Sequence, residues 1–307
     1  MKLNVIMNKL HPRRLFILLG RKGFLNWLND RQYLRIAFRC KMGKPLNLDN
    51  PTTYNEKLQW LKLNDRQERY IDLVDKYTVR QIIAEDMGEE YLIPLVGGPW
   101  ESFEDVDFSK LPDQFVLKCT HDSGGIVLCR SKSDFDYKAA KKRISKNLRR
   151  NFFWASREWP YKHIKPQIIA EQFMVDESGT ELKDYKFFCF DGVVKAMFIG
   201  SERGSADGTK FDFFDPDFNR LPIWQHYENS PKIFQKPVNY EQMVTLSERL
   251  SRGFPHVRID LYNVNGKIYF GEFTLYHFSG MERFKPSDWD LIFGNWLTLP
   301  VKNRGAL

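Results

Sequence analysis

Apolar and polar residues alternate through Val257–Tyr262 and again through Lys267–Phe273, on either side of the turn-type cluster Asn263–Gly266. That period of two predicts a hairpin of two strands. The same alternation predicts a second hairpin, Lys183–Phe190 with Val193–Ile199, turning at Asp191-Gly192. Shorter apolar runs predict strands at Leu92–Val96, Ile168–Phe173 and Lys210–Phe214, and the stretch Gln114–Cys129 reads as strand, glycine-rich turn, strand. Apolar spacing of three to four predicts helices elsewhere. One covers residues 3–40, and a second opens at the capping-box pattern Thr53-Tyr54-Asn55-Glu56 and runs to about Leu63. A third spans residues 66–86 and stops at Gly88, with others at Asp136–Arg150, Tyr240–Arg252 and Asp288–Leu297. Residues 154–166 and 200–238 read as loops, and no internal repeat is present. The mixture is of the α+β class.

A chain of 307 residues, 42% hydrophobic and 15% aromatic, has material for a large core and is not globally disordered. The net charge of +8 is uneven. Residues 1–46 carry eleven Lys and Arg against the single acid Asp30, which leaves the rest of the chain slightly acidic. The chain therefore divides into a basic amphipathic extension, 1–50, and a body, 51–307. The extension can lie on an anionic membrane surface or pack on the body with its basic face in water. On the first reading a chain starting near Pro45 is expected to stay soluble and active. No nucleic-acid motif accompanies the charge, so no nucleic acid is expected as a partner. Cys40, Cys119, Cys129 and Cys189 form no Cys-x-x-Cys pair and lack His at metal-ligand spacing. The expected location is the cytoplasm, at the inner face of the membrane if the extension binds there.

Asp260 and Glu272 interrupt the alternation, one on each strand of the first hairpin. A two-residue turn sets them diagonally across the ladder, within reach of one another. Two carboxylates held together repel unless a cation lies between them. Such hard oxygen donors suit Mg²⁺ with substrate phosphates. The plainer reading is a hairpin face whose acids point at water, and Arg258 on the same face favours the anion site. In Lys118-Cys119-Thr120-His121-Asp122-Ser123-Gly124-Gly125 a strand enters a glycine-rich turn, where backbone N–H groups can close on phosphate oxygens near Lys118. The Walker spacing is absent, and a Gly-Gly turn is often only structural. Asp184 and Lys186 share one face of their strand.

Taken with Asn55-Glu56-Lys57-Leu58-Gln59-Trp60, Asp184-Tyr185-Lys186-Phe187-Phe188-Cys189-Phe190, Val257-Arg258-Ile259-Asp260-Leu261-Tyr262 and Gly271-Glu272-Phe273-Thr274, these blocks resemble the ATP-grasp superfamily. Within it they are most similar to the TupA-like branch, over roughly residues 50–300. The resemblance implies two α+β lobes clamping ATP and Mg²⁺, built from body segments at approximately 51–110, 111–190 and 191–300. Lys76 then matches the lysine that reaches the α-phosphate, and Lys118 the second nucleotide lysine. Ser123, Gly124 and Gly125 match the loop over the outer phosphates, and Glu171 the strand-end acid beside the adenine. Asp184 matches the ribose acid, with Lys186 a further contact to the nucleotide or to the reacting groups. Asp260 and Glu272 match the metal carboxylates, and Arg258 the catalytic arginine facing the transferred phosphate. Thr274 stands where many members have a third, asparagine ligand, and the glycine loop is shorter than in well-studied members.

The function implied is an ATP-dependent carboxylate–amine ligase, working through an acyl phosphate in surface-polysaccharide synthesis. Its partners would be a small-molecule or lipid-linked saccharide acceptor and an amine. Two other functions compete. A glycosyltransferase would use a metal motif such as Asp215-Pro216-Asp217, although Pro216 makes an acidic turn an equal reading. A non-catalytic nucleotide-binding scaffold would fit the weaker ligand Thr274.

Overall fold

The structure, a computed structural model, describes residues 12–202 and 208–301, so the predicted helical stretch 3–11 lies outside the described residues. In chain order its strands are β1 (Leu95–Trp100), β2 (Phe115–Cys119), β3 (Ile126–Cys129), β4 (Ile168–Gln172), β5 (Asp184–Phe190) and β6 (Val193–Ser201). They continue with β7 (Lys210–Phe214), β8 (Trp224–Gln225), β9 (His256–Val264), β10 (Lys267–Thr274) and β11 (Phe284–Lys285). Four form a sheet in the order β1-β4-β2-β3, and five another in the order β10-β9-β5-β6-β7, while β8 and β11 form a short pair. Every strand pairing is antiparallel.

Both predicted hairpins turn through two residues of positive φ, Asn265 and Gly266 in one and Asp191 and Gly192 in the other. Two such residues in sequence twist as the flanking strands do, which is why this turn type joins them. The β9–β10 hairpin departs from the diagonal spacing expected of Asp260 and Glu272. Its ladder starts with Val264 opposite Lys267 and shifts between Phe270 and Glu272, so Glu272 stands directly opposite Asp260. Gly271 is the extra residue of this bulge. A Cβ there would lie 2.9 Å from the Asp260 carbonyl oxygen, so the close approach requires glycine.

The capping box forms at Thr53 and Glu56, and the helix Tyr54–Asn64 follows. Residues 66–86 do not make one helix. Two short helices, Arg69–Val74 and Val79–Asp86, are separated at Asp75, whose carboxylate accepts hydrogen bonds from the N–H groups of Tyr77 (2.7 Å) and Thr78 (3.2 Å). An Asp side chain that satisfies backbone donors two and three residues on competes with the helix at that point. The break brings the Lys76 N–H to the Thr120 carbonyl (3.1 Å), at the glycine turn of the other sheet. β1 runs through Gly97-Gly98-Pro99 instead of stopping there, with two register shifts, as an edge strand permits.

Two apolar clusters divide the chain differently from the segments read at 51–110, 111–190 and 191–300. The larger joins the five-stranded sheet to the helices Asp30–Met42, Tyr54–Asn64 and Tyr240–Leu250. The smaller packs the four-stranded sheet on the helix Tyr137–Leu148, which Asp136 caps. The basic extension is in part core. Tyr33, Leu34, Ala37 and Phe38 are buried in the larger cluster, which contradicts the expectation that a chain starting near Pro45 stands alone. Fully buried Arg157 fastens the N-terminal turn, residues 22–28, which joins the helix Pro12–Arg21 to the helix Asp30–Met42. Its Nη2 donates to the carbonyls of Leu25 (3.0 Å) and Leu28 (3.3 Å), and its Nε lies 3.3 Å from Asp30 Oδ1.

Candidate active site

Antiparallel pairing sets the site side chains in rows, because residues opposite one another share a face. Lys186 of β5 stands opposite Asp260 of β9, which stands opposite Glu272 of β10. Asp184 pairs with Tyr262, and Arg258 pairs with Thr274 on the same face. Six of the residues picked out in the sequence thus form one patch: Asp184, Lys186, Arg258, Asp260, Glu272 and Thr274.

The patch is wired through Arg258. Its Nε donates to Asp260 Oδ1 (2.7 Å) and its Nη2 to Asp260 Oδ2 (2.8 Å), a fork on one carboxylate. The same Nη2 reaches Thr274 Oγ1 (2.9 Å) and, at 3.4 Å, Glu272 Oε1. Lys186 Nζ donates to Asp260 Oδ2 and lies 3.7 Å from Asp184 Oδ1. Burial works to raise the Asp260 pKa, but Arg258 and Lys186 outweigh it and hold the carboxyl below its usual range. Burial pulls the Lys186 ammonium below its ordinary value although Asp260 opposes it.

Thr274 donates its hydroxyl to Glu272 Oε1 (3.0 Å) while accepting from Arg258. In this arrangement it steadies Glu272. Among the described residues no three His, Cys, Asp or Glu side chains converge as a metal site. Arg258 Nη2 stands between the two carboxylates, and the Glu272 side chain, 41% exposed, is the one open to a Mg²⁺ completed by phosphate oxygens, with Asp260 opposite it able to join on exchange of its Arg258 or Lys186 contacts.

His277 was not singled out from the sequence. It lies in the turn after β10, and its Nδ1 accepts from Arg258 Nη1 (2.5 Å) while its Nε2 donates to Gln225 Oε1 (2.8 Å). Burial first, then the neighbouring Arg258, depress its pKa well below the ordinary value, so the ring is neutral and can accept. Its only local signal is a histidine near the end of a strand.

The four-stranded sheet supplies the second group. Lys118 Nζ donates to Glu171 Oε2, and Arg80 Nη1 grips the other oxygen of the same carboxylate at 3.1 Å. Arg80 also donates to the Ile93 carbonyl (2.8 Å). Lys76 lies with the glycine turn, donating Nζ to the Asp122 carbonyl. The N–H groups of Gly124 (3.2 Å) and Gly125 (2.9 Å) both point at Asp122 Oδ1, which gathers them on one side of the turn.

A cavity of about 200 Å³ joins the sheets. Lys118, Glu171 and the segment Gln172–Val175 line one side, Thr180–Leu182 another, and Tyr262 of β9 closes it from the five-stranded sheet. Asp184 is not among its walls, whereas Glu181 is. Glu181 was missed because its loop carries no pattern of its own. The cavity is largely apolar with a few charged groups at its edge, the composition of a small-molecule site.

A family model described as TupA-like ATPgrasp matches residues 56–298. No curated protein matches the chain. Among solved structures, D-alanine–D-alanine ligase from Helicobacter pylori is 15% identical, with a TM-score of 0.44 over 80% of this chain and 69% of that one. The L-amino acid ligase from Bacillus licheniformis is also 15% identical, with a TM-score of 0.44 over 95% of this chain and 64% of that one. D-alanine–D-alanine ligase from Bacillus anthracis, complexed with ATP, is 15% identical over 66% of this chain and 55% of that one, with a TM-score of 0.38. The chain thus spans between 55% and 69% of the lengths of these structures, and nothing about substrate follows from them.

Proposed function

The chain belongs to the TupA-like ATP-grasp family and is an ATP- and Mg²⁺-dependent enzyme of the ligase type; from that premise we propose that it joins a carboxylate to an amine during the synthesis of a surface polysaccharide. The observation that carries this reading is the patch in which Arg258 and Lys186 both grip Asp260 beside Glu272. In the proposed reaction a carboxylate oxygen of the substrate takes the γ-phosphoryl group of ATP and ADP leaves. The amine nitrogen then attacks the acyl carbon, the C–O bond to phosphate breaks, and the nitrogen gives up a proton as the amide forms. Both steps bring anions together, so the work of the protein is to align them and to neutralise developing charge.

Each group has a place in that scheme. The adenosine end occupies the cavity between the sheets, with Lys118 at its phosphate side and Glu181, in place of Asp184, toward the ribose. Lys76 serves the α-phosphate, and the turn Ser123-Gly124-Gly125 covers the outer phosphates once the Gly124 and Gly125 N–H groups leave Asp122 Oδ1, while Glu171 serves by fixing Lys118 and Arg80. Asp260 and Glu272 would hold Mg²⁺, which when bound neutralises phosphate charge. Arg258 and Lys186 face the transferred group, and His277 positions Arg258 by accepting its Nη1 proton. Asp184 sets Lys186 from the other side. No nucleophilic side chain is required by this chemistry.

The carboxylate is proposed to be that of a uronic acid, with an amino acid or amino sugar as the amine, at the cytoplasmic side of the membrane. Among the described residues no helix is long and apolar enough to cross a membrane. The glycosyltransferase reading loses its motif. Asp215 accepts from the N–H groups of Asp217 (3.0 Å) and Asn219 (2.7 Å), which commits it to a turn. Incubation with ATP, Mg²⁺ and pools of acids and amines, followed by ADP release, tests the reading. Release that needs one acid and one amine together is expected, and sugar transfer without ADP release would overturn it.

A further inference from the structure

A second, larger cavity lies apart from the nucleotide cavity, between the N-terminal turn and the helix Tyr137–Leu148. It measures about 840 Å³, and seven of its thirteen lining residues are Lys or Arg, with no Asp or Glu among them. Arg21 and Lys22 form one wall, and Lys142, Arg143, Lys146 and Arg150 face them from the other. Among the described residues none of these six has a salt-bridge partner, although the chain pairs lysines nearby, such as Lys141 with Glu104. Cations also gather at helix C-termini, where they complement the backbone dipole. That accounts for Lys146 and Arg150 but not for Lys142 and Arg143, a turn or more further back. Like charges held across a cavity by two separate elements repel, and an anion between them relieves the repulsion.

Two links tie this cavity to the phosphate side of the site. Arg143 Nη2 donates to the Gly124 carbonyl in the glycine turn (3.3 Å). His121, three residues before it, donates Nε2 to the carbonyls of Asn147 and Arg150, each at 3.1 Å. The rim has a different character. The turn that contributes Arg21, Lys22 and Asn26 also carries Phe24 and Trp27, whose surfaces are 65% and 78% exposed. Charged walls beside exposed aromatics suit a ligand with an anionic head and an apolar tail at a membrane interface.

We propose that this cavity binds the diphosphate group of a lipid-linked saccharide, holding the substrate while its sugar enters the ligase site. The inference rests on the ligase reading for the second half of that statement and on the cavity alone for the first. Calorimetric titration of the full chain with inorganic pyrophosphate, without nucleotide and at 0.15 M salt as a physiological condition, tests the cavity. Replacing Lys142 and Lys146 together by Ala should weaken pyrophosphate binding at least tenfold and leave Mg-ADP affinity within twofold. Lys118→Ala should do the reverse. Pyrophosphate lost in Lys118→Ala and retained in the double variant would put the titrant in the nucleotide site and overturn the proposal.

Vesicles identify the source. Neutral phosphatidylcholine vesicles containing a polyprenyl diphosphate should sediment the chain at least tenfold better than vesicles matched in charge with phosphatidylglycerol. The double variant and Phe24→Ser with Trp27→Ser should each lose that preference. Equal binding to both vesicles would reduce the cavity to a general basic surface, and a preference for single-stranded RNA over pyrophosphate would assign it to nucleic acid. Either result overturns the proposal. Because these measurements use no acid or amine, failure of the ligase reading shows separately, as absence of substrate-dependent ADP release.

Discussion

Arg258, Lys186 and Asp260 are buried charges on one sheet face, and such groups cost several kcal/mol each to take out of water. Their pairing offsets that cost without making the patch a source of stability, which is the usual mark of groups retained for chemistry. The residues that break the β alternation, Arg258, Asp260 and Glu272, were legible because a charge among apolar neighbours is visible in one strand. His277, Gln225, Arg80 and Glu181 were not, since each acquires its role from a partner far away in sequence. The buried histidines give a pH test. His256 accepts from the Tyr54 hydroxyl (2.8 Å) and donates to the Cys189 carbonyl (2.8 Å), and burial lowers its pKa to about 3. A folded-state value below the unfolded value of about 6.5 means that the unfolded chain binds the extra proton first. Stability should therefore be fully present above about pH 6.5 and be lost progressively as pH falls toward 3, by a few kcal/mol in all. His277 acts in the same direction. Thermal unfolding between about pH 4.5 and 7.5 should show this slope, and His256→Gln should flatten it. An identical slope in the variant would remove His256 from the account.

Elements place these residues through local irregularities more than through their regular parts. The hairpin itself was plain in the sequence, but its pairing was read as diagonal, because a bulge changes register without changing the hydrophobic pattern on either side. Gly271 is the physical reason that Glu272 meets Asp260 squarely. Gly271→Ala should force the strands apart, costing about 1–3 kcal/mol as overpacking does. ATP turnover should fall by more than tenfold while circular dichroism still reports the fold. Normal turnover in a folded Gly271→Ala protein would mean that the opposed carboxylates are not required. Asp75 shows the same limit of sequence reading. Apolar spacing continued across it and predicted one helix, whereas its side chain satisfies the backbone of Tyr77 and Thr78 and ends the first. That break is what turns Lys76 toward the glycine loop.

At the scale of the molecule, the strands and their hairpins came largely from local alternation, but the order of strands within each sheet and the grouping of segments into bodies did not. Basic charge marked residues 1–46 as separate, yet Tyr33, Leu34 and Phe38 belong to the core of the five-stranded sheet. A periodic apolar face does not say whether protein or lipid will cover it. Removing residues 1–44 should therefore leave an aggregating chain, measurable by size-exclusion chromatography, and a monodisperse truncated protein with normal turnover would contradict the packing described. The account as a whole depends on a ligase site built around opposed carboxylates that hold Mg²⁺. Its most direct test is ADP release by the wild-type chain and by Glu272→Gln, each supplied with ATP, Mg²⁺ and the acid–amine pair that supports turnover. The account predicts release that requires both acid and amine in the wild type, and a fall of at least about a hundredfold in the variant, of the order seen when one group stabilising transition-state charge is lost. Undiminished release by Glu272→Gln, or release indifferent to the amine, would contradict it.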